Sequence, residues 1–198
     1  MRVKSNWFRG GRARTPQELA GAVAFIVWRI AQNALKNMRQ AGFDIAVGPQ
    51  YFQFFSEFLI FLVQLGDRIA YRHLDEGERI AFTTELANRV GENLADNWHE
   101  LLGGEFAAHK AAFIARLNLR SGDYANFPYE KGVENFSFMR QLGEFLQQTL
   151  DERDRIWVTD QIIAAEAPEA VETLERAMSG LLELEPRRRS ARTSAGGD

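Results

Sequence analysis

The stretch 51–72, YFQFFSEFLIFLVQLGDRIAYR, constrains this chain more than any other. Tyr51, Phe54, Phe55, Phe58, Leu62, Leu65 and Ile69 recur at three- and four-residue spacing, which draws one apolar face along a helix. Phe52, Leu59, Phe61 and Val63 carry that face well round the cylinder. A helix apolar over most of its circumference has to be covered by protein on nearly every side. Gly48-Pro49 suits its entrance, because proline at the first helical position gives up only an amide that has no intrahelical partner. The expectation is an all-α fold: a single-domain bundle of about six to seven helices around a buried apolar central helix at 51–72.

What remains polar on this helix is a narrow stripe. Gln53, Glu57, Gln64, Arg68 and Tyr71 fall within about 60° of one another at roughly 100° per residue, with Asp67 at the margin. Such a line faces water, the side chains of neighbouring helices, or a pocket. On the pocket reading Glu57, Gln64, Asp67, Arg68 and Tyr71 are the ligand-binding candidates. A desolvated Glu57 would have a raised pKa and could act as a ligand or an acid/base group. Glu57 and Arg68 lie about 16 Å apart along the axis and cannot pair, whereas Gln64 with Arg68 and Asp67 with Tyr71 can, at i,i+4.

The other helices are read from caps and periodicity. Thr15-Pro16-Gln17-Glu18 is a capping box with proline at the first helical position, and Leu19, Val23, Ile26, Ile30, Ala34 and Met38 then mark one face up to Gly42, placed to close the helix in a left-handed cap. Asp75 and Glu78 form a second capping box ahead of a face through Ile80, Leu86, Val90 and Leu94, stopped by Gly103-Gly104. Residues 105–127 read as a fourth helix with Phe106, Phe113, Leu117 and Tyr124 inward and a kink at Ser121-Gly122. A fifth is expected over 133–150, on Phe136, Met139, Leu142 and Phe145. A sixth spans 153–165, with Ile156, Trp157, Ile162 and Ile163 inward, and a seventh opens at Pro168 on Val171, Leu174 and Met178.

Charge divides the chain into three: a flexible basic arm (1–14), the helical domain (15–185) and a disordered basic tail (186–198). The formal net charge of −3 conceals a body, residues 15–186, with fifteen basic and twenty-six acidic side chains, net −11. An acidic body disfavours nucleic acid as a partner. A membrane contact is expected only through the arm, where five cations accompany Trp7 and Phe8. The apolar run at 19–28 behind that arm reads as helix rather than secretory leader, being bracketed by Glu18 and Arg29 with no small-x-small site after it. The twenty arginines against four lysines fit a GC-rich bacterial coding sequence.

Catalytic chemistry finds little footing. The chain has no cysteine, which removes disulfides, thiolate metal sites and cysteine nucleophiles. It has no Gly-x-Ser-x-Gly, no P-loop and no Gly-x-Gly-x-x-Gly. Among three histidines only Asp96 and His99 have the i,i+3 spacing of a carboxylate-bridged metal bundle, and Glu105 with His109 is offset by four. No catalytic residue, metal or cofactor is assigned. The expectation is a cytoplasmic, non-enzymatic helical protein that binds another protein as an adaptor, regulator or assembly factor, with homo-oligomerisation a further expectation. The alternatives are a small-molecule binder or enzyme using the stripe, and a peripheral membrane protein using the arm.

Overall fold

The computed structural model describes residues 14–130 and 135–183. Within them the regular structure is entirely helical: α1 (Pro16–Gln40), α2 (Pro49–Ala70), α3 (Glu76–Leu102), α4 (Phe106–Ala125), α5 (Phe136–Gln147), α6 (Glu152–Gln161) and α7 (Ala167–Glu183). A π-helical turn, Ile162–Glu166, joins α6 to α7 without a loop. Of the arm expected over 1–14 only Arg14 is described, and the tail expected over 186–198 lies outside the described residues.

Local chemistry sets the boundaries. At the start of α1 the Thr15 hydroxyl accepts from the Glu18 amide (3.2 Å) while the Glu18 carboxylate accepts from the Thr15 amide (2.8 Å). Asp75 and Glu78 repeat the exchange at the start of α3. Beyond the end of α1, Gly42 has φ 94°, and there the Gly42 amide bonds the Arg39 carbonyl and the Phe43 amide bonds that of Met38, each at 3.1 Å. This is a Schellman closure, and it turns the chain back toward α2.

Alpha-2 touches α1, α3, α4, α5 and α7. Phe52, Phe54, Phe55, Phe58 and Phe61 are completely buried, as are Leu59, Ile60, Leu62, Val63 and Leu65. Each such side chain contributes about 1.5–3 kcal/mol relative to exposure. Aromatic rings from other helices complete the contact: Trp28 meets Phe55 edge-on at 4.9 Å, Trp98 stacks on Phe52 at 4.6 Å, and Phe138 meets Phe61 at 5.2 Å.

Several expected inward positions face out. Ile156 and Trp157 on α6 are 68% and 64% exposed, and Ile80 and Phe136 are also exposed. On α6 the inward line is Asp154, Val158 and Ile162, because the Asp154 carboxylate accepts from the Asp44 amide in the α1–α2 connection (2.7 Å) and so takes an interior position. Ile156 and Trp157 are thereby turned away. Alpha-4 runs through Ser121-Gly122 as one helix, as expected for this stretch. Alpha-5 is described from Phe136 to Gln147, shorter at its C-terminal end than expected.

The α3–α4 corner depends on backbone freedom. Gly103 and Gly104 have φ of 76° and 89°, and a Cβ on Gly104 would stand 2.5 Å from Nε2 of His109. Gly104→Ala is therefore expected to cost about 1–3 kcal/mol. Gly122→Ala, inside α4 with no atom within 4 Å of the added methyl, should instead stabilise by about 0.5–1 kcal/mol. Urea denaturation of the two variants beside the wild-type chain checks both signs.

Candidate functional site

The polar stripe of α2 lies largely against α4. Glu57, 2% exposed, receives Arg120 side-on: Nε at 3.1 Å from Oε2 and Nη2 at 2.9 Å from Oε1. Arg116, one turn earlier, stands 3.8 Å from the same carboxylate. Farther along, Gln64 Nε2 donates to Ser121 Oγ (2.7 Å), and Arg68 Nη2 donates to the Tyr124 carbonyl (2.5 Å). Glu57, Gln64 and Arg68 meet Arg120, Ser121 and Tyr124 in the same chain order.

Asp67 and Tyr71 turn to α3 instead. Asp67 is gripped by Arg79 through two bonds of 2.9 and 2.8 Å and accepts from the Thr83 hydroxyl at 2.6 Å. The exposed Tyr71 ring lies under the Arg79 guanidinium, 5.0 Å away. The five candidates thus divide between two neighbouring helices and do not meet at one point. Gln64 and Arg68, and likewise Asp67 and Tyr71, take partners on other helices rather than each other.

Arg120 is the hub of the seam. It neutralises Glu57, reaches Asp123 at 3.5 Å and lies 3.6 Å over the Phe145 ring. Next to it the Tyr124 side chain is fully buried among Phe61, Phe138 and Phe145, and its hydroxyl has no hydrogen-bond partner. Burial, with Glu57 adding to it, pushes the phenol well above its ordinary range, so this hydroxyl keeps its proton. The α4 contribution has a legible signal: Arg116 and Arg120 are one turn apart, beside the inward line of Phe113, Leu117 and Tyr124.

The histidines hold the α3–α4 corner. The His99 ring bonds the Gly104 carbonyl through Nδ1 (2.6 Å), and His109 bonds that of Gly103 through Nε2 (2.9 Å). His109 also stacks on Trp98 at 4.8 Å. No three His, Cys, Asp or Glu side chains among the described residues are grouped to hold a metal ion.

A second polar site lies at the π-turn, where sequence reasoning placed nothing. Buried residues in the last helices recur every four positions, at Asp154, Val158, Ile162, Glu166, Ala170, Leu174, Met178 and Leu182. That spacing exceeds 3.6 per turn, and one widened turn at Ile162–Glu166 keeps more of the line on one side. It also brings Glu166 inside. The carboxylate is 3% exposed and accepts from Gln161 Nε2 (3.1 Å) and from Asn37 Nδ2 of α1 (3.3 Å). It faces a small cleft of about 20 Å³ between α1 and α7, lined also by Ile30, Asn33, Ala34, Glu169, Ala170 and Thr173. Burial raises the pKa of Glu166 and Glu169 raises it further, while the two amides oppose the shift.

Arg120→Met is expected to cost about 3–5 kcal/mol, because it leaves a buried carboxylate without its close partner. Glu57→Met combined with Arg120→Met should recover most of that loss in a urea-denaturation cycle. For Glu166 the raised pKa means that its stabilising contribution is complete below the ordinary value of 4.5 and is lost as pH rises through the folded-state value. Glu166→Gln should accordingly melt above the wild type at neutral pH, with the gap closing toward about pH 4. A gap independent of pH would refute the assignment. No protein-family model, curated protein or solved structure matches this chain, so its function is read from its own geometry.

Proposed function

We propose that the chain is a non-enzymatic, cytosolic helical protein that works by binding another protein, as an adaptor, regulator or assembly factor, and that the outer face of α4 makes the contact. One observation carries this reading. Alpha-4 buries only Phe113, Leu117 and Tyr124, and packs chiefly on α3 with a smaller contact to α2. Its opposite side presents Ala108, Ala111, Ala112, Ala115, Leu119 and Gly122, all exposed and all uncharged. Asn118 is the other residue on that arc. An exposed helix face ordinarily carries charge, and the acidic body of this chain has charge to spare. Here Lys110, Arg116, Arg120 and Asp123 are kept to the flanks and inner side.

Small side chains let another helix approach closely, and the arc from Ala108 to Gly122 extends about 21 Å. Exposed Leu101 and Leu102, at the end of α3, add apolar surface near the start of α4 in the chain. A second copy of the chain would find the same surface, which is how homo-oligomerisation enters the proposal. Among the described residues no helix is long and apolar enough to cross a membrane.

Ala115→Glu is the decisive variant. At an exposed helical position it should change stability by no more than about 0.5 kcal/mol. A protein retained by the wild-type chain at high salt should be lost from the variant in parallel pull-downs, and any self-association seen by sedimentation equilibrium should fall with it. Equal capture by both chains would remove α4 as the binding face.

A further inference from the structure

Three carboxylates are buried among the described residues, and two of them come with a counter-charge. Glu57 holds Arg120 and has Arg116 nearby. Asp154 has Arg153 at 3.2 Å together with the Asp44 amide. Glu166 is the exception: its partners are the neutral amides of Asn37 and Gln161, and no ion pair to it forms among the described residues. A charge taken out of water needs a partner charge or a metal, or it gives up its ionisation.

Glu166 also differs from the other two in what it faces. It opens on the cleft between α1 and α7, where the other ionisable lining group is Glu169 and where Asn33 and Thr173 supply neutral oxygens. Among the described residues no Lys, Arg or His lines this cleft. Its size, about 20 Å³, suits one water-sized group.

We propose that this cleft is a binding site for a primary ammonium group, which supplies the counter-charge that Glu166 lacks. An ammonium head has about the size of a water molecule and three N–H donors, and the two carboxylates with the Asn33 and Thr173 oxygens offer acceptors for them. Ile30, Ala34 and Ala170 provide an apolar flank for the methylene next to the nitrogen. A guanidinium, with its wide planar fork, exceeds the space. Calcium, which takes about six to eight oxygen ligands, is the competing cation and is included in the test. Burial raises the Glu166 pKa and a bound ammonium would lower it, so proton and ammonium compete for Glu166. The ammonium can belong to a free amine or to a lysine of another protein. The site is separate from the α4 face and stands without it.

The test is thermal unfolding of the full chain at about pH 7.5, where alkylamines are protonated. Ethylammonium chloride, tetramethylammonium chloride, sodium chloride and calcium chloride are compared at equal ionic strength. Ethylammonium should raise Tm in a saturable way, and tetramethylammonium, with the same charge and no N–H, should not. Glu166→Gln should weaken the ethylammonium effect by about tenfold or more, through loss of a charge-assisted bond. Glu169→Gln should weaken it less. Substituting a capped lysine for ethylammonium separates the two sources: stronger binding of the capped lysine points to a protein side chain, and weaker binding to a free amine. No rise with ethylammonium, an equal rise with tetramethylammonium, a larger rise with calcium, or an undiminished effect in Glu166→Gln would each overturn the proposal. Should Glu166→Gln fail to fold, the contrast between the two ammonium ions in the wild-type chain still decides.

Discussion

The burial of α2 is the constraint on which the rest of the structure depends. A helix with phenylalanine at 52, 54, 55, 58 and 61 and aliphatic residues between them is apolar over most of its circumference, and five other helices contribute contacts to it. The same burial takes polar groups inside. Glu57 cannot be left charged and alone in that interior, so α4 has to arrive with Arg120 in register, and Gln64 and Arg68 then fix the rest of the α2–α4 seam. A buried ion pair of this kind adds little net stability beside an apolar pair of similar volume, but it sets the position of α4 along α2.

That position has a consequence for the surface. Once the charges of α4 are spent on the seam and its edges, its outer side is left with alanine, leucine, glycine and asparagine. A charge-free exposed arc therefore follows from where the inner side had to point. The π-turn follows from a related conflict: the last helices bury a residue at every fourth position, which a regular α-helix cannot keep on one side. The extra width at Ile162–Glu166 eases the mismatch and brings a carboxylate into the α1–α7 interface. The seam and the cleft thus have different character. In the first, opposite charges meet within the chain; in the second, among the described residues, a buried carboxyl group is held by amides alone.

How much of this was legible in the residues can be traced position by position. The two capping boxes, the Gly42 closure, the proline entrance of α2 and the stop at Gly103-Gly104 are local events, and each forms as its residues require. The stripe on α2 was equally legible as a line of polar residues. Its partners were not, because Arg120 and Ser121 stand about sixty residues away in the chain and only packing chooses which helix lies against the stripe. Ile156 and Trp157 were misread for the same reason: hydrophobicity marked them as interior, but the bond from the Asp44 amide gave the inward line to Asp154.

The sequence by itself determined the all-helical class, most helix ends and the need to bury α2, since these rest on periodicity, capping hydrogen bonds and hydrophobicity within a few turns of chain. Only the tertiary structure decided which carboxylates acquire a counter-charge, which face of α4 is left exposed, and that Glu166 stands in a cleft with no cationic side chain among the described residues. Those outcomes depend on distances between helices remote in sequence, and the charge and size of a side chain do not encode its neighbours until the helices have packed.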